Sequence, residues 1–134
     1  MKKLGLLLIL VSLVLVSCVR NKIENVEVIA TPEVDYMTIN PDSLYMAANQ
    51  LYQEGSYCEA AKAYEEGLKY DVNNSGSLYN LACCYGLTGD SKKSGKYLKL
   101  ALQRGFKDYA HILVDTDFDK VRDSKEIQEI FGKI

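Results

Sequence analysis

The chain has 134 residues, is 48% hydrophobic and carries a net charge of −2. Beyond the first 17 residues, fourteen basic residues face eighteen acidic ones, a balance that argues against a nucleic-acid surface built on clustered Lys and Arg. With one His (His111) and no Trp, the chain is poor in the convergent polar groups of an enzyme cleft, and its length allows one small domain plus a tether.

Residues 1–17, MKKLGLLLILVSLVLVS, open with Lys2 and Lys3 and continue as an apolar run broken only by Gly5 and Ser12. The run falls short of the roughly 20 residues of a permanent transmembrane helix and reads as a signal peptide. Its end, Leu15-Val16-Ser17-Cys18, resembles the lipobox of bacterial lipoproteins, where a small residue precedes the modified Cys. The resemblance implies that Cys18 receives a diacylglyceryl group, that the peptide before it is removed, and that Cys18 becomes the acylated N-terminus. Two or three acyl chains anchor a protein stably where one does not. The alternative is an uncleaved anchor with an incidental Cys. Residues 19–40 have no helical period and are interrupted by Pro32. They read as a tether; about 22 extended residues reach on the order of 70 Å. Val19 follows the Cys, where Asp would mark inner-membrane retention in some bacteria, and no acidic cluster follows Cys18. That pattern points to the outer membrane, facing the periplasm.

Residues 41–74 and 75–108 align without a gap at an offset of 34. Leu44 falls over Leu78, Tyr45 over Tyr79, Ala48 over Ala82, Gly55 over Gly89 and Leu68 over Leu102. Such a period marks a repeated pair of antiparallel helices. Asn40-Pro41-Asp42 is a helix start, with a capping Asn, Pro at the first helical position and an acid at the positive helix end. Helices are predicted over 41–54, 57–70, 77–87 and 91–104, with Gly55, Gly89 and Gly105 as left-handed stops. Each carries an apolar stripe at helical spacing that needs a neighbour to cover it. Ala48 opposite Ala60, and Ala82 opposite Ser94, are expected at close helix contacts.

These residues resemble tetratricopeptide repeats. The pattern of that family places apolar residues at Leu44, Ala47 and Leu51, small ones at Ala48 and Ala60, Gly at Gly55 and an aromatic at Tyr64. The second repeat matches with Leu78, Leu81, Tyr85, Ala82, Ser94, Gly89 and Ala101. It departs where Leu replaces Trp, and where Val72 and Phe106 replace Pro. The resemblance covers 68 of 134 residues and implies an all-α fold of two helix hairpins stacked in a right-handed solenoid.

Residues 109–134 are not a third full repeat. Short helices are predicted at 109–114 and 125–131, with a half turn at 118–121. The segment resembles the piece that ends repeat groups in bacterial tetratricopeptide proteins, through Gly105-Phe106, Leu113, Asp115, Asp117-Phe118, Val121-Arg122 and Phe131. It is expected to cover the last helix pair with Ile112, Leu113, Phe118, Val121, Ile127, Ile130 and Phe131, supplying the third layer such arrays need.

The family resemblance also implies a concave face lined by the first helix of each pair. Here that selects Tyr45, Asn49, Tyr52, Tyr79, Asn80 and Cys83 as the candidate partner-binding groove, an aromatic surface with hydrogen-bonding capacity suited to a peptide. Asn49 and Asn80 match the two Asn of the family's carboxylate clamp, but its Lys and Arg are missing. A C-terminal carboxylate is therefore disfavoured as ligand. The rival reading is an envelope thiol-redox or soft-metal protein using Cys58, Cys83 and Cys84. Against it stand the absence of a C-x-x-C spacing and the strain of a disulfide between adjacent helical residues. The sequence thus predicts a lipid-anchored adaptor of the bacterial envelope with a protein or peptide partner, no catalytic residue, no metal and no cofactor.

Overall fold

The computed structural model describes residues 40–134; the predicted signal peptide, Cys18 and the tether lie outside the described residues. Asn40 starts the first helix as expected, its side-chain oxygen accepting from the Asp42 N–H at 2.9 Å. Pro41 follows, and α1 runs over Pro41–Gln53. α2 covers Tyr57–Gly67, α3 Ser75–Thr88 and α4 Ser91–Gln103. Asn74 and Asp90 cap α3 and α4 by accepting from the N–H groups of Ser77 and Lys93. Gly55, Gly89 and Gly105 have φ of 79°, 84° and 99°, the left-handed conformation that ends these helices without a Cβ penalty.

The described residues form an all-α, tetratricopeptide-like solenoid. α1 packs on α2, α2 on α3 and α3 on α4. Ala48, Ala60, Ala82 and Ser94 are wholly buried at the tight contacts. Ser94 explains its hydroxyl: Oγ donates to the Ala82 carbonyl at 2.9 Å, so a polar side chain stands where the family places Ala. Between the pairs, Glu65 on α2 accepts from Tyr85 on α3 at 2.7 Å and from Tyr97 on α4 at 3.1 Å, and the two rings stack at 5.6 Å.

The closing segment contains α5 (Tyr109–Val114), a 3₁₀ turn at Thr116–Phe118 and α6 (Lys125–Phe131). The predicted half turn at 118–121 is present, closed by the Val121 N–H donating to the Phe118 carbonyl at 2.9 Å; the 3₁₀ turn that precedes it is capped by Asp115, which accepts from the Asp117 N–H. Ile112, Phe118, Val121, Ile127 and Ile130 are buried as expected. Leu113 is not; it faces outward at 40% exposure. Two glycines within helices seat this segment. A Cβ on Gly86 would stand 2.5 Å from the Asp117 carbonyl oxygen, and one on Gly95 would stand 2.8 Å from the Glu126 Cβ. These close approaches account for residues that otherwise weaken a helix.

Candidate partner-binding groove

The face formed by α1 and α3 is only partly open. Tyr45 is 7% exposed; its ring lies against Gly67, where a Cβ would stand 2.5 Å from Cε1, and its hydroxyl donates to the Asp71 carbonyl. Tyr79 is 5% exposed, stacked on Phe106 at 4.2 Å, and donates to Asp115. Cys83 is 2% exposed. These three residues, predicted on the binding face, belong to the packing. The repeat pattern identifies the side of the helix but not the segment that later covers it.

Tyr79 and Cys83 are engaged by the turn between α5 and α6, whereas Tyr45 is held by the end of α2 and Asp71. Asp117 accepts from Tyr52, Asp115 accepts from Tyr79, and the Cys83 thiol lies 3.8 Å from Asp115 Oδ2. His111 Nε2 approaches the same oxygen at 3.3 Å. Burial, and then the Asp117 hydrogen bond, push the ionisation of Tyr52 upward. Burial, and then Cys83 and Asp115, do so for Tyr79, so both hydroxyls stay protonated donors. Sequence reasoning missed Asp115 and Asp117 as groove residues, since their partners lie 36 and 65 residues away.

Among the described residues, Cys83, Asp115 and Asp117 form the group whose ligand atoms all lie within 4.8 Å of one another. Both carboxylates already accept a tyrosine O–H. Burial, followed by the charges of Asp115 and Asp117, raises the Cys83 pKa and keeps the thiol protonated. Cys84 is pushed up to about 12, chiefly by burial. A reactive cysteine needs its thiolate within reach, and burial keeps both thiols in the protonated form. The cluster acts as a hydrogen-bonded clasp between α1, α3 and the closing segment.

The accessible part of the groove is Asn49, Tyr52 and Asn80. Asn49 is exposed, while Tyr52 and Asn80 are half-buried. Tyr64, reaching from α2, donates to Asn49, and the Asn80 amide donates to the Tyr64 oxygen at 3.1 Å and to the Asn49 oxygen at 3.4 Å. Burial raises the Tyr64 pKa to about 12, against the lowering effect of the Asn80 donor. Two carboxamides from successive repeats are thus fixed side by side. Met46, one turn before Asn49 on α1 and 72% exposed, adds apolar surface.

The described residues thus form a stacked, tetratricopeptide-like helical repeat with fixed amides on one face. Known proteins agree at that level. The chain is 34% identical over 71 residues to tetratricopeptide repeat protein 30 homolog of Caenorhabditis briggsae, covering 51% of this chain and 11% of that protein. It is 36% identical over 97 residues to TPR repeat-containing protein YpiA of Bacillus subtilis, covering 66% of this chain and 22% of that one. The chain therefore spans less than a quarter of the length of either relative. No family model matches the chain, and no solved structure does. The relatives support a tetratricopeptide-like repeat protein.

Proposed function

We propose that this protein is a lipid-anchored adaptor of the bacterial cell envelope, an interaction module rather than an enzyme, which holds a peptide or protein partner on the open part of its α1–α3 face. The Asn49–Asn80–Tyr64 arrangement carries this reading. Amides locked in place by a buried tyrosine lose little side-chain freedom when they bond a peptide backbone. Tyr52 and Met46 supply aromatic and apolar area beside them. The signal-peptide pattern and the Leu15-Val16-Ser17-Cys18 sequence support acylation at Cys18, with the outer membrane facing the periplasm as the proposed location.

The test is a photo-reactive amino acid placed at Met46 in cells, with Glu59 on α2 as the comparison position. A discrete partner cross-linked from position 46, and lost when Asn49→Ala and Asn80→Ala are combined, supports the groove. Equal capture from both positions refutes it. Anchoring is tested separately: Cys18→Ala should leave a longer precursor that takes up no labelled fatty acid, and retained labelling overturns that part.

A further inference from the structure

The α4 side of the face formed by α4 and α6 is basic. α4 carries Lys92, Lys93, Lys96 and Lys99 and no acidic residue, within a chain whose net charge is negative. Lys92, Lys96 and Lys99 follow helical spacing along one side, about 10 Å from first to last at 1.5 Å per residue. Between this side of α4 and α6 runs a groove of about 380 Å³. Its apolar lining comes from Leu102, Ile130 and Ile134, each packed on the core yet reaching the groove. The α6 wall carries Glu126 and Glu129, the latter paired with Lys125 at 3.7 Å, and ends in Lys133. Gly95 lets α4 and α6 approach closely, since a Cβ there would stand 2.8 Å from the Glu126 Cβ.

We propose that this groove is a second docking site, separate from the α1–α3 face, for an amphipathic helix of a partner protein that carries acidic residues along the flank meeting α4. The charges select this occupant. Carboxylates spaced every three or four residues on a helix match Lys92, Lys96 and Lys99, while an apolar stripe fills the channel over Leu102 and Ile134. An anionic lipid surface fits less well. A flat sheet of phosphates would meet Glu126 and Glu129 together with the lysines, and would leave the groove unfilled. A second copy of this chain offers no better match: α1 holds a single charge, Asp42, and α2, which carries Glu59, Glu65 and Glu66, also carries Lys62 and has its apolar side buried against its neighbours.

The probes are a synthetic helical peptide with a Leu stripe flanked by Glu, the same peptide with Lys in place of Glu, and a scramble of the Glu peptide. The Glu peptide should bind residues 18–134 with nuclear magnetic resonance shifts confined to α4 and α6, and about tenfold more tightly than either control. Lys96→Glu with Lys99→Glu should reduce that affinity about tenfold, as expected for two rim pairs turned from attraction to repulsion. Glu126→Gln with Glu129→Gln should strengthen it. Asn49→Ala with Asn80→Ala should leave it unchanged, which separates this site from the α1–α3 groove. Ile134→Ser, at the end of the channel, should weaken binding without loss of helix content. Equal affinity for the Glu and Lys peptides overturns the proposal. So does binding to phosphatidylglycerol vesicles, but not to the Glu peptide, that depends on Lys96 and Lys99. Self-association abolished by the same lysine changes, with no peptide binding, overturns it too.

Discussion

Gly86→Ala tests whether the closing segment is seated as described. In an open helix position this change stabilises by about 1 kcal/mol through helix propensity. Here the new methyl would stand 2.5 Å from the Asp117 carbonyl oxygen, 3.3 Å from its carbon and 3.4 Å from Phe118 Cδ1. A backbone oxygen cannot swing aside as a side-chain tip can, and Asp117 is further held by Tyr52. Overpacking of this kind costs roughly 1–3 kcal/mol. Allowing for the propensity gain, the net loss should be about 0–2 kcal/mol, each kcal/mol lowering the melting temperature by roughly 4–8 °C in a domain of this size. Gly76→Ala, in the first turn of α3, is the control. Its nearest neighbour, Asn74 Oδ1, would be 3.7 Å away, so the change should be neutral or stabilising by up to about 1 kcal/mol. Urea unfolding followed by helical circular dichroism measures both. Midpoints shifted upward by similar amounts in both variants would refute the close seating of Asp117 on α3.

Three further outcomes follow from the same contacts. Arg122 donates to the Leu113 and Asp115 carbonyls at 2.9 and 2.6 Å and lies 5.3 Å from the Phe131 ring centre. Arg122→Ala should cost about 1–3 kcal/mol, and Arg122→Lys should recover little of it because one ammonium cannot span both carbonyls; a fully stable Lys variant would contradict this. Tyr64 and Tyr97 are raised to about 12, each chiefly by burial, with Glu65 next for Tyr97. The folded state holds these protons more tightly than the unfolded chain, so their contribution is intact below pH 10 and is lost as pH rises from 10 through about 12. Urea midpoints that stay level across that window would be inconsistent with it. Cys83 and Cys84 should resist a thiol reagent at pH 8 in the folded protein and react on unfolding; rapid labelling of both in the native state would revive the thiol reading.

Much of the scaffold was legible because its signals are local. The 34-residue offset, the cap at Asn40 and the left-handed glycines each fix a helix end from a few neighbouring residues, whereas the Asn74 cap escapes that reading and α3 begins two residues before its expected start. The small residues at Ala60 and Ala82 report a close contact at fixed spacing. The groove was less legible. Tyr45, Tyr79 and Cys83 occupy the positions that the family resemblance assigns to the concave face, yet Gly67, Phe106 and Asp115 cover or engage them. Contacts at such sequence separations leave no periodic trace. One clue was present: Gly86 and Gly95 interrupt helices where no turn needs them, and a glycine without a turn signals another backbone nearby.

Those two glycines also give the array a direction of growth. An extra consensus repeat spliced between Asn74 and Ser75 keeps α3, α4 and the closing segment together, with both glycine seats intact. The same repeat spliced after Gln103 separates Gly86 and Gly95 from Asp117 and Glu126, and presents ordinary side chains where the closing segment needs bare backbone. Lengthened versions of this protein should therefore be built from the α1 side, with the last repeat and its lid moved as one cassette.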